Sequence, residues 1–408
     1  MTLFAWLVFG TMASAPAPRV ELTGWALMNA ETFRSGVSAG RALANPSVGL
    51  ATPFMGQPVQ GFSGLLSDGT LGRGRDKFLA MSDNGFGAQN NSYDFVLAWH
   101  QITVDWSAHS VSRTGTVEMS DPGRLVKFPI VADQKSYPTR DIPVDARIRE
   151  GRLLTGYDFD PEGFQRMPDG TFWVSDEFGP FLFHLDAQGR LLSAPVATPN
   201  PLADDEVKEL SSPQRPHPGA GRVNVGASGG FEGLALDADN KTLWAAVEKA
   251  VVGDPVPERR WVLGLDTTTG KWTGDRWAIR MENANHSIGE LTVVGPGRFL
   301  VIERDQAFGA AARVKRVYLV DSRQRDAAAF ARKSLIVDLL DIDDPRDLNG
   351  DRDRTFRFPF VTIESIVMEN PRSLVLVNDN NFPASSMRRA GRIEGTEFIR
   401  IRLPEPLP

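Results

Sequence analysis

The chain has 408 residues, no cysteine and a formal net charge of -6. Disulfides, thiolate metal sites and a cysteine nucleophile are excluded, and the mild acidity argues against a nucleic-acid partner, which needs a basic footprint. With 38 glycines and 28 prolines, the composition suits many short strands joined by turns better than long helices.

Near its start the chain reads LFAWLVFGTMASA. An apolar run of about eight residues followed by Ala-x-Ala at Ala13–Ala15 is the pattern of a secretory signal. Residues 1–17 are expected to be a signal peptide, and 18–408 a single domain of a periplasmic or secreted protein. No membrane span is expected, because no stretch reaches about 20 apolar residues.

Five hairpins follow in chain order. The first is GFSGLLSDGTLGRGRDKFLAMSDNG from Gly61, and the second DPEGFQRMPDGTFWVSDEFGP from Asp160. The third is GGFEGLALDADNKTLWAAVEKA, 229–250; the fourth SIGELTVVGPGRFLVIERD from Ser287; the fifth VTIESIVMENPRSLVLVNDNN from Val361. In each, apolar residues alternate at period two on both sides of a turn such as Pro168-Asp169-Gly170 or Pro296-Gly297. Polar residues mark both open ends. Ser63, Glu162, Glu232, Glu290 and Glu364 lie early in the first strands. Asp83, Asp176-Glu177, Glu248, Glu303 and Asp379 close the second. Residues equidistant from a turn sit opposite one another in an antiparallel pair, so each hairpin gathers its polar ends at one edge.

The unit recurs about 60 to 100 residues apart, which is an internal repeat. Further strands are available in WVLGLDTT, RVYLVDS, SLIVDLL and FIRIRLP. The expected fold is all-β, a β-propeller of five or six four-stranded blades, with six preferred because a diverged blade fits between Val111 and Leu154. The N-terminal VELTGWALM is placed to pair with the C-terminal strands and close the ring. First strands line the axis of a propeller, so the acids converge at one mouth. Packed carboxylates raise one another's pKa unless a cation joins them. All-oxygen ligands favour Ca²⁺, or Mg²⁺ or Mn²⁺. Asp158, Asp160 and Glu162 alternate along one strand entry and add to this candidate metal set.

DFDPEGF, WVSDEFGPFLFHLDAQGRLL, GFSGL, GFEGLAL, IGEL and VNDNNFP together resemble the phytase-like family, labelled as having esterase-like activity of phytase. The likeness runs from Gly61 to Pro383. It implies a bacterial, usually exported propeller and calcium-dependent hydrolysis of phosphate esters. The substrate expected is a small ester, phosphorylated, acted on by a monomer. His286, which precedes Glu290, and Arg304 and Lys249, which follow Glu303 and Glu248, are the candidate catalytic groups, acting on the proton or the charge of a phosphoryl group. Two alternatives stand beside this one: a lactonase-like or other esterase propeller with one axial Ca²⁺, and a non-catalytic binding propeller with structural calcium. No His-Glu-x-x-His motif or phosphate-binding P-loop occurs. The charged run Asp341–Arg354 does not fit the EF-hand spacing and reads as a solvated loop.

Overall fold

The computed structural model describes residues 19–408 apart from 44–49, 70, 73, 139, 203–205, 216–221, 384–387 and 389–392. The expected signal peptide lies outside the described residues. Among them the only α-helix is Ala146–Gly151, capped by Asp145, whose side chain accepts from the Arg147 N–H. No helix among the described residues is long and apolar enough to cross a membrane. The rest is strand and turn, as the glycine and proline content requires.

The strands form a propeller-like set of antiparallel sheets. Sheet 1 is Phe62–Ser67, Arg75–Ser82, Ala98–Asp105 and Ser110–Glu118. Sheet 2 is Pro161–Arg166, Phe172–Asp176, Phe181–Leu185 and Val196–Ala197. Sheet 3 is Phe231–Leu236, Thr242–Val247, Arg259–Asp266 and Lys271–Arg280. Sheet 4 is Ser287–Gly295, Arg298–Arg304, Lys315–Arg325 and Ala331–Asp338. Sheet 5 is Ile363–Asn370, Ser373–Asn378, Thr396–Arg402 and, as its outermost strand, the N-terminal Glu21–Met28. That last strand pairs antiparallel with Thr396–Arg402, Trp25 opposite Ile399. A parallel bridge, Leu27 to Ser110, links sheets 5 and 1.

The first strand of each sheet packs against the first strands of its two neighbours, and the order returns from sheet 5 to sheet 1. Apolar clusters fill the gaps. Trp99, Phe164 and Phe172 lie between sheets 1 and 2, and Trp173, Leu182 and Phe231 between 2 and 3. Trp244, Trp277 and Phe299 join 3 to 4, Leu300, Ile302 and Ile366 join 4 to 5, and Phe62, Phe78 and Phe398 join 5 to 1. These clusters hold the molecule together, since burying one such side chain contributes about 1.5–3 kcal/mol.

The stretch from Val111 to Leu154, where a further sheet was expected, holds none among the described residues. It supplies the last strand of sheet 1, one 3-10 turn at Val131–Asp133 and the short helix. Its apolar residues, among them Phe128, Ile130, Tyr137 and Ile148, pack onto the sheet 1–sheet 2 cluster instead.

Candidate metal centre

Each first strand carries a β-bulge near its start. The register against the second strand slips between Phe62 and Gly64, Pro161 and Phe164, Phe231 and Gly233, Ile288 and Glu290, and Ile363 and Ser365. A bulge re-aims the side chain it carries. The bulged positions are Ser63, Glu162, Glu232, Gly289 and Glu364, and they form an upper ring. The paired residues Ser82, Asp176, Val247, Glu303 and Asn378 mark the same level on the second strands. One residue later come Asp83, Glu177, Glu248, Arg304 and Asp379, which form the second ring.

The rings meet at one end of the axis. Ligand oxygens of Glu162, Glu232 and Glu364 lie within 4.8 Å of one another, as do those of Glu177, Glu232 and Glu248, and those of Asp160, Glu162 and Glu177. These six carboxylates and Asp379 are only 2–6% exposed; Asp83 is half-buried. Two ionised carboxylates at such a separation repel by about 3 kcal/mol at an effective dielectric of ~20. One fully ionised triad would then cost as much as a whole domain's stability, about 5–15 kcal/mol. Burial and the neighbouring acids accordingly push Glu162, Glu177 and Glu364 well up. Burial, opposed by Arg304, leaves Glu232 at about 7. Asp160 and Asp379 rise to about 6, again mainly through burial.

The basic groups at the ring are unevenly placed. Arg304 Nη2 lies 2.9 Å from Glu232, 3.2 Å from Glu248 and 3.2 Å from Glu364. Burial works to discharge it, but the three glutamates outweigh that and raise its pKa. Lys249, its side chain 37% exposed, places Nζ 3.1 Å from Glu248. No ion pair to Glu162 or Glu177 forms among the described residues, although the Lys249 charge also acts on Glu177. Among the described residues no hydrogen bond from a backbone or basic group reaches the carboxylates of Glu162 or Glu177. Asp160 is fixed beside them by the Asn84 backbone N–H (3.0 Å) and side-chain amide (2.7 Å). Three buried carboxylates, one oriented by Asn84 and two without a backbone or basic donor, suit a hard divalent cation.

Several expected site residues lie elsewhere. Glu290 follows the bulge instead of occupying it. It lines a cavity of about 160 Å³ with Phe164, Thr292 and Ile366, and its carboxylate accepts from the Leu291 N–H. Glu303 faces away from the ring: it accepts from His286 Nδ1 at 2.7 Å and pairs with Lys333 at 2.5 Å. His286 is therefore turned from the acids too. Asp158 is spent on Val131 and Thr155. Asp176 holds the backbone N–H groups of Asp160 and Gly179. Ser63 joins the upper ring by donating to Glu364 at 2.9 Å. The exchange of Gly and Glu between FEGL and IGEL was the available signal for the slip at sheet 4.

The family described as "Phytase-like: Esterase-like activity of phytase" matches residues 57–382. An uncharacterized secreted protein of Arthroderma benhamiae is 30% identical over 187 residues, 38% of this chain and 36% of that protein; the match thus spans about a third of the relative's length. Among solved structures, the chain is similar to regucalcin of Agrobacterium tumefaciens strain C58, described as a calcium-binding protein. That likeness has 10% identity, covers 92% of this chain and 98% of the other, and has a TM-score of 0.39. The Dos1 propeller is 10% identical, with 80% and 64% covered and a TM-score of 0.29. With most of its length matched, the chain belongs to the phytase-like family, esterase-like activity of phytase.

Proposed function

We propose that the protein is an exported, calcium-dependent hydrolase of phosphate esters, built on a five-bladed propeller. The observation that carries this reading is the triad Asp160, Glu162 and Glu177, in which no backbone or basic group donates to Glu162 or Glu177, on the side of the ring that Arg304 does not neutralise. Those residues would hold the ion, with Glu232 within reach of both Glu162 and Glu177. A divalent ion there supplies Lewis-acid polarisation of an ester oxygen. Asn84 keeps the Asp160 carboxylate aimed, and Asp176 fixes the backbone of the same strand entry. Lys249, the partly exposed cation at the rim, is placed to offset phosphoryl charge. Arg304 is committed to three glutamates and acts on the ring. Family membership supports the ester class, and the secreted relative supports export.

The test is release of chromophore from a phosphomonoester and a phosphodiester, with and without chelator, beside a lactone panel. Chelator-sensitive turnover of a phosphate ester is expected. Turnover of lactones alone would move the protein to the lactonase-like class. The near-complete burial of the acids favours a second reading, an ion that only rigidifies the ring. In that case chelation lowers the melting temperature and no ester in the panel turns over.

A further inference from the structure

We propose that Arg304 is a built-in cation that fills a second ion position in the acid ring and thereby limits how many divalent ions the ring takes. The inference rests in part on the reading that the sheet 2 side holds an ion, but it concerns the other side. Of the five equivalent second-ring positions, four are acids and the fifth is Arg304. The upper-ring position of the same sheet is Gly289, the only one there with no side chain. Room for the guanidinium comes from that absence. A Cβ at Gly289 would lie 3.3 Å from Arg304 Nε, and 2.3 Å from the Ile363 carbonyl oxygen.

The contacts are those of a point charge. A guanidinium recognising carboxylates normally uses its planar fork, two nitrogens on one acid. Here a single nitrogen, Nη2, faces three carboxylates with two hydrogens to give. Nε is buried with no acceptor. Nη2 thus supplies one positive charge shared by oxygens of Glu232, Glu248 and Glu364. Arg304→Gln removes the charge and leaves three buried carboxylates facing a gap. A divalent ion then enters to restore balance. Arg304→Lys keeps one positive charge and needs no such ion.

The test is the bound-ion count, by elemental analysis and calorimetric titration with Ca²⁺, on wild type, Arg304→Gln and Arg304→Lys, all purified with Ca²⁺ present. Arg304→Gln is expected to hold one more ion per chain than wild type, and Arg304→Lys the wild-type number. An equal count in Arg304→Gln and wild type overturns the inference, as does an extra ion in Arg304→Lys. If wild type binds no ion and Arg304→Gln binds one, the sheet 2 reading fails while the role of Arg304 stands. Should Arg304→Gln not fold, crystals of wild type soaked in Ca²⁺ decide: density for an ion among Glu232, Glu248 and Glu364 with Arg304 in place contradicts the proposal, and its absence there supports it.

Discussion

Glu303 and Arg304 are adjacent in the chain and face opposite sides of one strand. Arg304 enters the ring, whereas Glu303 closes a separate pair with Lys333 and His286. Two substitutions distinguish these environments. Glu303→Gln strips one partner from a buried ion pair and is expected to lower unfolding free energy by about 1–3 kcal/mol, with ion binding unchanged; denaturant melts and a calcium titration check both. Glu162→Gln or Glu177→Gln removes a ligand that no donor satisfies, and is expected to weaken Ca²⁺ at least about tenfold while leaving the metal-free protein as stable or more so. Sequence spacing made the acids visible but misplaced Glu290 and Glu303 by one residue. With a side-chain period of two, a one-residue slip changes the face. Period-two counting carries no information on where a bulge falls.

At the scale of elements, the hairpins were legible because their turns carry left-handed or proline positions between alternating runs, such as Asn240 and Gly297 with positive φ. The stretch 119–154 was not, because its apolar residues obey no period and serve as packing against sheets 1 and 2. Closure by the N-terminal strand was legible from its alternation, and it makes a prediction. Leu22, fully buried between sheets 4 and 5, is expected to cost about 2–5 kcal/mol on truncation to Ala, read from denaturant midpoints. The glycine after the bulge has its own role. A Cβ at Gly233 would lie 2.4 Å from the Leu291 backbone nitrogen, so this glycine sets how closely sheets 3 and 4 approach at the axis. Gly233→Ala is expected to cost about 1–3 kcal/mol and to weaken ion binding with it, because Glu232 is its neighbour.

At the scale of the molecule, the ring couples stability to pH. Carboxylates whose folded pKa is raised, to about 7 for Glu232 and about 6 for Asp160 and Asp379, bind protons in the folded chain that the unfolded chain has released. Their stabilisation is complete below the unfolded carboxylate range and is lost as pH rises through the folded values. The metal-free protein is therefore expected to melt at least about 3 °C lower at pH 8 than at pH 5.5, by scanning calorimetry. Calcium should reverse the order, since ions compete with protons for the same oxygens and bind better as pH rises.

The most direct test of the ring as a cation site is a calorimetric titration of chelator-treated protein with Ca²⁺ at pH 7.5, repeated on Glu162→Gln and Glu177→Gln. Saturable binding with a rise in melting temperature, lost or sharply weakened in both variants, is the predicted result. No binding to wild type, or binding that both variants keep at full strength, would contradict it.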